Sequence, residues 1–269
     1  DRIHSTIHAP VATCLETWAD GTCTPVDQAT EVLPAEYLGH PVVVSTELQE
    51  TLAPFIDAAR QSREKVLPIE LPRDLKRKTQ QKIEDGFPND SLGDIVAEGM
   101  RKAVNADVGV QNRGGVRADL PKGALTFGQV YRVLPFGNHI STMQLTGAQL
   151  KAFIEHLLNR HGKPPYIAGL RIIRIDGLWQ ILHAGGSPIE IGRTYQVATN
   201  DYLAGGGEGL ERILKHIPSS AIHPGDTVLL HALIEHLRSL YPPAPTTPPA
   251  PVVPPDPTQS SLPSSSSPG

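Results

Sequence analysis

Apolar side chains recur at three- and four-residue spacing in several segments, which predicts amphipathic helices. The first runs over residues 46–66 and can be capped by Ser45 or Thr46. Pro54 lies inside this pattern and leaves open a later start near that residue. Further helices are predicted at residues 92–104, 127–133, 147–162, 209–216 and 226–240. Thr126 caps the helix at 127–133, Thr146 opens the one at 147–162, and Asp226 caps the last.

Alternating or continuous apolar runs between these helices predict strands. They cover residues 107–111, 140–145, 170–175 and 194–199. Residues 68–90 are charged and rich in turn residues, so no regular element is predicted there. Because helices alternate with strands, we expect an α/β or α+β domain with a mixed sheet over residues 46–241.

The composition narrows the class of protein. Residues 242–269 are mostly proline, serine and threonine, which predicts a disordered, partly polyproline tail. The 269 residues include 24 Lys and Arg against 28 Asp and Glu, a near-neutral balance that argues against nucleic acid as the main partner. No apolar run approaches the about 18 residues of a membrane span. The sequence contains no signal peptide and begins at Asp1, so we expect a processed or excised chain.

The two cysteines, Cys14 and Cys23, flank an Asp20–Gly21 dipeptide that is typical of a tight turn. A hairpin there would bring the thiols together as a disulfide and would imply an oxidising compartment. The alternative is a pair of unremarkable thiols. A zinc site is disfavoured, since two further ligands at finger-type spacing are missing.

Three loops carry the candidate binding residues. The first follows the strand at 107–111 and reads Asn112-Arg113-Gly114-Gly115-Val116-Arg117. Paired glycines let the backbone approach a ligand, the Asn112 amide both donates and accepts, and the Arg117 guanidinium suits a phosphate or carboxylate. The alternative is a tight turn with a surface arginine.

The other two loops each contain an aromatic residue. In Leu134-Pro135-Phe136-Gly137-Asn138, Phe136 is either an exposed stacking platform or an anchor packed on the core. The stretch Thr199–Gly209 holds Tyr202, three consecutive glycines and Glu208, whose carboxylate can accept hydrogen bonds from sugar hydroxyls. The alternative there is a mobile loop. Together the loops offer the chemistry of a nucleotide or nucleoside site.

Four stretches resemble the C-terminal domain of 5′-nucleotidases and UDP-sugar hydrolases, in the order and spacing of that family. They are Val110–Leu120, Thr126–Asn138, Leu145–Leu150 and Thr199–Gly209, and the resemblance extends over roughly residues 46–240. It implies that Phe136 and Tyr202 sandwich the base and that Glu208, where the family usually has Asp, binds the ribose hydroxyls.

The resemblance also directs Asn112 and Arg117 to the phosphate and the neighbouring domain, and adds Gly115 and Asn138 to the substrate-binding set. The family tends to have an arginine shortly before the Leu92-Gly93-Asp94 helix start, where this chain reads Gly86-Phe87-Pro88. We therefore hypothesise that Arg113, at a position where Ser or Gly is more usual, compensates for the missing phosphate contact.

Enzymes of this family hydrolyse phosphate esters with a two-metal centre in a separate N-terminal domain. Its motifs are missing here, and the partial match Gly137-Asn138-His139-Ile140 lacks the acid. His156 and His161, like His231 and His236, are five positions apart, which is poor for two ligands on one helical face, so most histidines are expected at the surface. We expect no metal site, no cofactor and no catalytic residue in this chain. A divalent metal pair is expected in the missing phosphoesterase domain.

Residues 1–45 resemble the end of that phosphoesterase domain and its linker, and residues 46–66 the interdomain helix. The sequence therefore predicts the substrate-recognition domain of a secreted, periplasmic or cell-surface phosphohydrolase, which binds a nucleotide but does not turn it over alone. Two alternatives stay open: a standalone nucleotide- or nucleoside-binding module, and a vestigial surface protein without nucleotide affinity. Stacking tolerates any base, so the sequence does not select the nucleotide.

Overall fold

The computed structural model describes residues 45–77 and 91–243, and before them only the backbone of four short strands. The chain divides into two compact units, Asp1–Glu64 and Lys65–Gly269. The predicted Cys14–Cys23 disulfide and the tail beyond residue 243 lie outside the described residues.

The first unit contains two antiparallel strand pairs and one long helix. Its elements are β1 (Glu16–Trp18) paired with β2 (Val32–Pro34), β3 (Glu36–Tyr37) paired with β4 (His40–Pro41), and α1 (Thr46–Glu64). Helix α1 continues through Pro54 and buries none of its residues. It ends two residues before the predicted 66, because Val66 already belongs to a strand of the second unit.

The second unit contains nine strands among the described residues. They are β5 (Val66–Leu71), β6 (Val108–Gln111), β7 (Gly123–Thr126), β8 (Ile140–Thr146), β9 (Tyr166–Ala168), β10 (Leu170–Ile175), β11 (Leu178–His183), β12 (Thr194–Asn200) and β13 (Ile222–His223). Five of them form a mixed sheet in the order β13-β8-β12-β6-β9, in which β6 and β12 are parallel and the other pairs antiparallel. Strands β5 and β7 form one separate antiparallel pair, and β10 and β11 another.

Polar caps define where several helices of this unit begin. The helices are α2 (Leu92–Ala103), α3 (Phe127–Val133), α4 (Gly147–His161), α5 (Asp201–Ala204), α6 (Glu211–Leu214) and α7 (Leu229–Leu240). Thr126 and Thr146 each form a capping box with the glutamine three positions later. Gly162 ends α4 in the left-handed conformation, with a φ of 63°.

The five-stranded sheet separates two hydrophobic cores. Because side chains alternate across a strand, neighbouring residues of β12 face different cores: Ala198 lies in one and Val197 in the other. The first core contains α2, α7 and β5, and the second is built around Phe153 and Leu157 of α4. The mixed α/β class that the sequence predicts is confirmed.

Several local predictions differ from the structure. Asp226 does not cap α7, which begins at Leu229 after Val228. The helix predicted at residues 209–216 contains only the short α6. Strand β5 lies partly in the segment without predicted structure, and β7, β9 and β11 were not predicted. These are short strands beside glycine or proline. Strands β5, β7 and β9 are stabilised by pairing with strands distant in the sequence, whereas β11 pairs with the neighbouring β10 across Asp176-Gly177.

Candidate functional site

The three predicted loops meet at one edge of the sheet. Strands β6 and β12 are parallel, so their carboxyl ends, Gln111 and Asn200, lie side by side. Strand β8 runs the other way, and its first residue, Ile140, is paired with Asn200. The loops that follow β6 and β12 and the loop that precedes β8 therefore converge.

A pocket of about 360 Å³ opens between these loops. This volume lies in the range of about 300–1,000 Å³ that is typical of small-molecule sites. The pocket is lined by Asn112, Gly114, Gly115, Phe136, Asn138, Tyr202 and Glu208. The structure thus brings together six of the eight residues that the sequence predicts to bind substrate, and leaves Arg113 and Arg117 off the lining. Their contact with a ligand stays a prediction.

Phe136 and Tyr202, the aromatic pair, present exposed rings at this pocket. The Phe136 side chain is 58% exposed and that of Tyr202 51%, so neither is a core anchor. The Tyr202 ring lies directly over Gly207, where a Cβ atom would come within 2.5 Å of the ring. Only glycine leaves room for the ring at this place. Gly207 covers one face of the Tyr202 ring, so stacking would use the exposed surface that remains on both rings.

Behind the pocket, Gln111, Asn112 and Asn200 form a buried set of amide side chains, the amide network. Nδ2 of Asn200 donates to Oε1 of Gln111 at 2.8 Å and to Oδ1 of Asn112 at 2.9 Å. Oδ1 of Asn200 accepts from the backbone N–H of Leu203 at 2.8 Å, which caps α5. Since Oδ1 of Asn112 is held in this way, its Nδ2 points towards Glu208.

The Glu208 carboxylate is held on several sides. Oε1 accepts from Nδ2 of Asn112 at 3.1 Å, and Oε2 accepts from Nε of Arg160 at 3.1 Å and Nε2 of His161 at 3.0 Å. Partial burial raises the pKa of this carboxyl, but hydrogen bonds from Asn112, His161 and Arg160 outweigh that effect and hold the pKa below its ordinary value. The group is therefore ionised at neutral pH.

Sequence reasoning did not connect α4 with the site. His156 and His161 were expected as scattered surface residues, but Nε2 of His156 donates to the Glu208 carbonyl at 2.9 Å and His161 binds the carboxylate. The spacing of His156 and Arg160, four positions apart on one helical face, was the available signal. It does not say which loop packs there.

Asp201 is a second carboxylate that sequence reasoning left out of the site. Its Oδ1 accepts from Nδ2 of Asn138 at 2.5 Å, and its Oδ2 from the backbone N–H of His139 at 3.1 Å. Asp201 thus ties the loop before β8 to the start of α5. This bond orients the Asn138 amide at the pocket.

The two arginines of the first loop contact aromatic rings. The Arg113 guanidinium lies 4.8 Å from the centre of the Tyr166 ring and donates to the Pro164 carbonyl at 3.2 Å. The Arg117 guanidinium lies 5.8 Å from the centre of the Phe136 ring and donates to the Gly114 carbonyl at 3.3 Å. The phosphate contacts predicted for both arginines stay predictions.

A buried carboxyl group lies near Arg113. Asp94 is 6% exposed, and its carboxylate accepts from the Ser91 hydroxyl at 2.5 Å and from the backbone N–H of Ile167 at 3.3 Å. Burial raises the pKa of Asp94 to about 6, although both hydrogen bonds and the charge of Arg113 oppose the shift.

The described residues show neither a cluster of metal ligands nor a membrane-spanning helix. Within residues 45–77 and 91–243, no three His, Cys, Asp or Glu side chains lie together so that they could hold a metal ion. No helix in the same ranges combines the length and the apolar character that crossing a bilayer requires.

Comparison with known proteins identifies similar chains. The profile of a family described as "5′-nucleotidase, C-terminal domain" matches residues 62–216. The trifunctional nucleotide phosphoesterase YfkN of Bacillus subtilis is 33% identical over 141 residues, which are 44% of this chain and 9% of that protein. The endonuclease YhcR of the same organism is 31% identical over 129 residues, 45% of this chain and 11% of that protein.

Among solved structures, the 5′-nucleotidase precursor of Thermus thermophilus has a similar fold. It aligns with a TM-score of 0.55 at 24% identity and covers 78% of this chain and 43% of its own. The chain thus spans about a tenth of the two curated relatives and less than half of this solved structure.

Proposed function

The chain belongs to the family of 5′-nucleotidase C-terminal domains, and we propose that it recognises the nucleoside part of a nucleotide. A phosphoesterase domain elsewhere in the full protein would hydrolyse the phosphate ester. The observation that carries the proposal is the pocket itself. It combines the exposed aromatic pair with an ionised carboxylate and an oriented amide, at the edge where three loops meet.

Each side of the pocket supplies one part of nucleoside recognition. Phe136 and Tyr202 offer faces on which a base can stack, a contact worth about 1–3 kcal/mol per base. The Glu208 carboxylate offers an acceptor to the ribose, and Asn112 orients that carboxylate. Stacking tolerates any base, so we propose that the sugar contacts select the ligand class and the aromatic pair supplies much of the affinity.

We propose that hydrolysis takes place outside the described residues. The described residues do not fit a two-metal centre, because no three potential ligands lie together. We therefore assign no step of hydrolysis to them. The names of these two relatives, a trifunctional nucleotide phosphoesterase and an endonuclease, both denote the cleavage of phosphate esters. That shared chemistry supports the expectation of a phosphoesterase domain with a divalent metal pair outside the described part of this chain.

We also propose a secreted, periplasmic or cell-surface location. The support is the Cys14–Cys23 spacing around a turn dipeptide, which suits a disulfide formed in an oxidising compartment. Mass spectrometry of the non-reduced chain tests the disulfide directly. Two free thiols after secretion would contradict it.

Isothermal titration calorimetry tests the binding proposal. AMP, adenosine and UDP-glucose are titrated into the parent chain and into a Phe136→Ala/Tyr202→Ala variant. We expect the parent to bind at least one ligand and the variant to lose at least about 30-fold in affinity, since two stacking contacts are removed. Phe55→Ala removes an exposed aromatic ring that does not line the pocket, and should leave the affinity unchanged.

The outcomes separate the alternatives. Loss of binding in a variant with unchanged unfolding free energy supports the stacking site. Absence of binding of all three ligands by the folded parent contradicts the proposal and favours the vestigial alternative.

A further inference from the structure

We infer that the C-terminal part of α4 positions Glu208 for ligand binding. His156, Arg160 and His161, the α4 clamp, hold this residue so that Oε1 faces the pocket with one acceptor direction left for a ligand hydroxyl. The inference rests on the proposed function and adds two things to it: the positioning residues, and a preference for a ligand recognised through a single sugar hydroxyl.

The backbone of Glu208 shows why it needs external support. Its φ of 61° and ψ of 19° lie in the left-handed region, which residues with a Cβ atom seldom occupy. Such a conformation persists where surrounding contacts hold it. The bond from Nε2 of His156 to the Glu208 carbonyl, at 2.9 Å, is one such contact, and the bond from the Glu208 N–H to the Tyr202 hydroxyl, at 3.2 Å, is another.

The carboxylate is restrained as firmly as the backbone. Arg160 and His161 both donate to Oε2, and the Glu208 side chain is only 12% exposed. The guanidinium and imidazole, by contrast, belong to side chains that are 51% and 37% exposed. The carboxylate is therefore mostly buried, while the Arg160 and His161 side chains that bind it lie at the surface. Replacing these two side chains leaves the hydrophobic core unchanged.

The number of unoccupied acceptor directions on the Glu208 carboxylate determines how many ligand hydroxyls it can bind. An ionised carboxylate offers about four lone-pair directions on its two oxygens. Arg160 and His161 occupy those of Oε2, and Nδ2 of Asn112 occupies one of Oε1. One direction on Oε1 remains. Gly114 lies beside this oxygen, since an added Cβ atom would be 3.8 Å from it, and both Gly114 and Glu208 line the pocket. We therefore assign the remaining direction to a ligand in the pocket.

The first test compares nucleosides on the parent chain. Adenosine, 2′-deoxyadenosine, 3′-deoxyadenosine and 2′,3′-dideoxyadenosine are titrated by calorimetry. We expect one monodeoxy nucleoside to bind about tenfold to a hundredfold more weakly than adenosine, the range for a hydrogen bond to a charged group, and the other to bind equally well. Equal weakening by both single deletions would overturn the single-hydroxyl assignment.

The second test removes the two residues of the α4 clamp that bind the carboxylate. In an Arg160→Ala/His161→Ala variant, we expect adenosine to bind about tenfold more weakly and 2′,3′-dideoxyadenosine to bind as it does to the parent, because only adenosine has a hydroxyl for the positioned carboxylate. A merely structural effect would weaken both nucleosides equally and would overturn the inference, as would unchanged adenosine binding. Asn159→Ala, an exposed change on the same turn of α4, is the matched control and should alter neither affinity.

A ligand-independent measurement accompanies these titrations. NMR titration of the Glu208 carboxyl should show a higher pKa in the double variant than in the parent, because two donors that lower it are gone. An unchanged pKa would show that the clamp does not hold the carboxylate. If the parent binds no nucleoside, the proposed function fails together with the inference. If it binds adenosine and dideoxyadenosine equally well, only the inference fails.

Discussion

The aromatic pair and the amide network meet at the same pocket but are held in opposite ways. Phe136 and Tyr202 are more than half exposed, whereas Asn112 and Asn200 are 5% and 1% exposed and bonded to each other. The aromatic rings lie at the surface, in the loop before β8 and in the short α5, so we expect their removal to change the fold little. The amides join strands β6 and β12, so changing them alters both the fold and the site. The following predictions test this contrast.

Asn200→Ala should give the largest effect on stability. The change removes the cap of α5 and leaves the Gln111 and Asn112 amides without their buried partner. We expect the free energy of unfolding to fall by about 3 kcal/mol, the sum of a lost cap and an unsatisfied buried group. Urea denaturation measures it, with the exposed Asn159→Ala as control. A loss below about 1 kcal/mol would show that the network is not structural.

Asp94 tests whether buried polar groups of the second unit always stabilise the fold. Its pKa of about 6 in the folded chain, against 3.8 ordinarily, means that the folded state binds a proton more tightly than the unfolded state. Stability from this group is therefore greatest at low pH and falls as the pH rises from about 4 to 6. Asp94→Asn should remove this dependence, whose full size is about 3 kcal/mol.

Parallel urea denaturations at about pH 4 and about pH 7 measure the Asp94 effect. The difference in unfolding free energy between parent and Asp94→Asn should shift in favour of the variant at the higher pH. The same difference at both pH values would contradict the raised pKa. Comparing the two chains cancels the contributions of the other carboxylates.

Gly207→Ala should affect binding more than stability. A Cβ atom at this position would lie 2.5 Å from the Tyr202 ring and force the exposed ring to move. We expect nucleoside affinity to fall about tenfold, as for one lost stacking contact, with a change in unfolding free energy below about 1 kcal/mol. Gly185→Ala is the control, since nothing lies within 4 Å of its Cβ position. A large fall in unfolding free energy with unchanged nucleoside affinity would show that Gly207 supports the fold and not the binding site.

Arg117→Ala should give the smallest effect. The guanidinium lies over the Phe136 ring, and an exposed contact of this kind contributes about 0.5–1 kcal/mol. Affinities for adenosine and AMP should both fall about two- to fivefold in calorimetry. A clearly greater loss for AMP would instead support the phosphate contact predicted from the sequence. Arg132→Ala, also exposed, serves as control.

Much of the fold could be predicted because the sequence signals for its helices and strands lie within the elements themselves. The threonine caps of α3 and α4 and the apolar pattern of β10 gave bounds that agree with the structure to within a residue or two. Each capping box is formed by residues no more than three positions apart, and the apolar pattern of β10 can be recognised within that strand alone. Strand β9 has no comparable signal, because its three residues become a strand only by pairing with β6.

The candidate site divides in the same way. Phe136 and Tyr202 could be selected because an aromatic residue in a glycine loop has no periodic reason to be there. The partners of Glu208 could not be selected, since Arg160 and His161 lie almost fifty positions away and look like ordinary polar residues at a helix end. Only the packing of α4 against the loop after α5 brings them together.

The pairing of β6 with β12 has a consequence for how the second unit reaches its native state. The bonds that join Asn200 to Gln111 and Asn112 to Glu208 close loops of 89 and 96 residues. Contacts of such long range form late, since the entropy of loop closure opposes them until other structure is in place. The pocket therefore exists only after the chain between these strands has folded. A bound nucleoside would stabilise the completed fold, adding about 2.7 kcal/mol to the unfolding free energy at a free nucleoside concentration of about 100 times Kd.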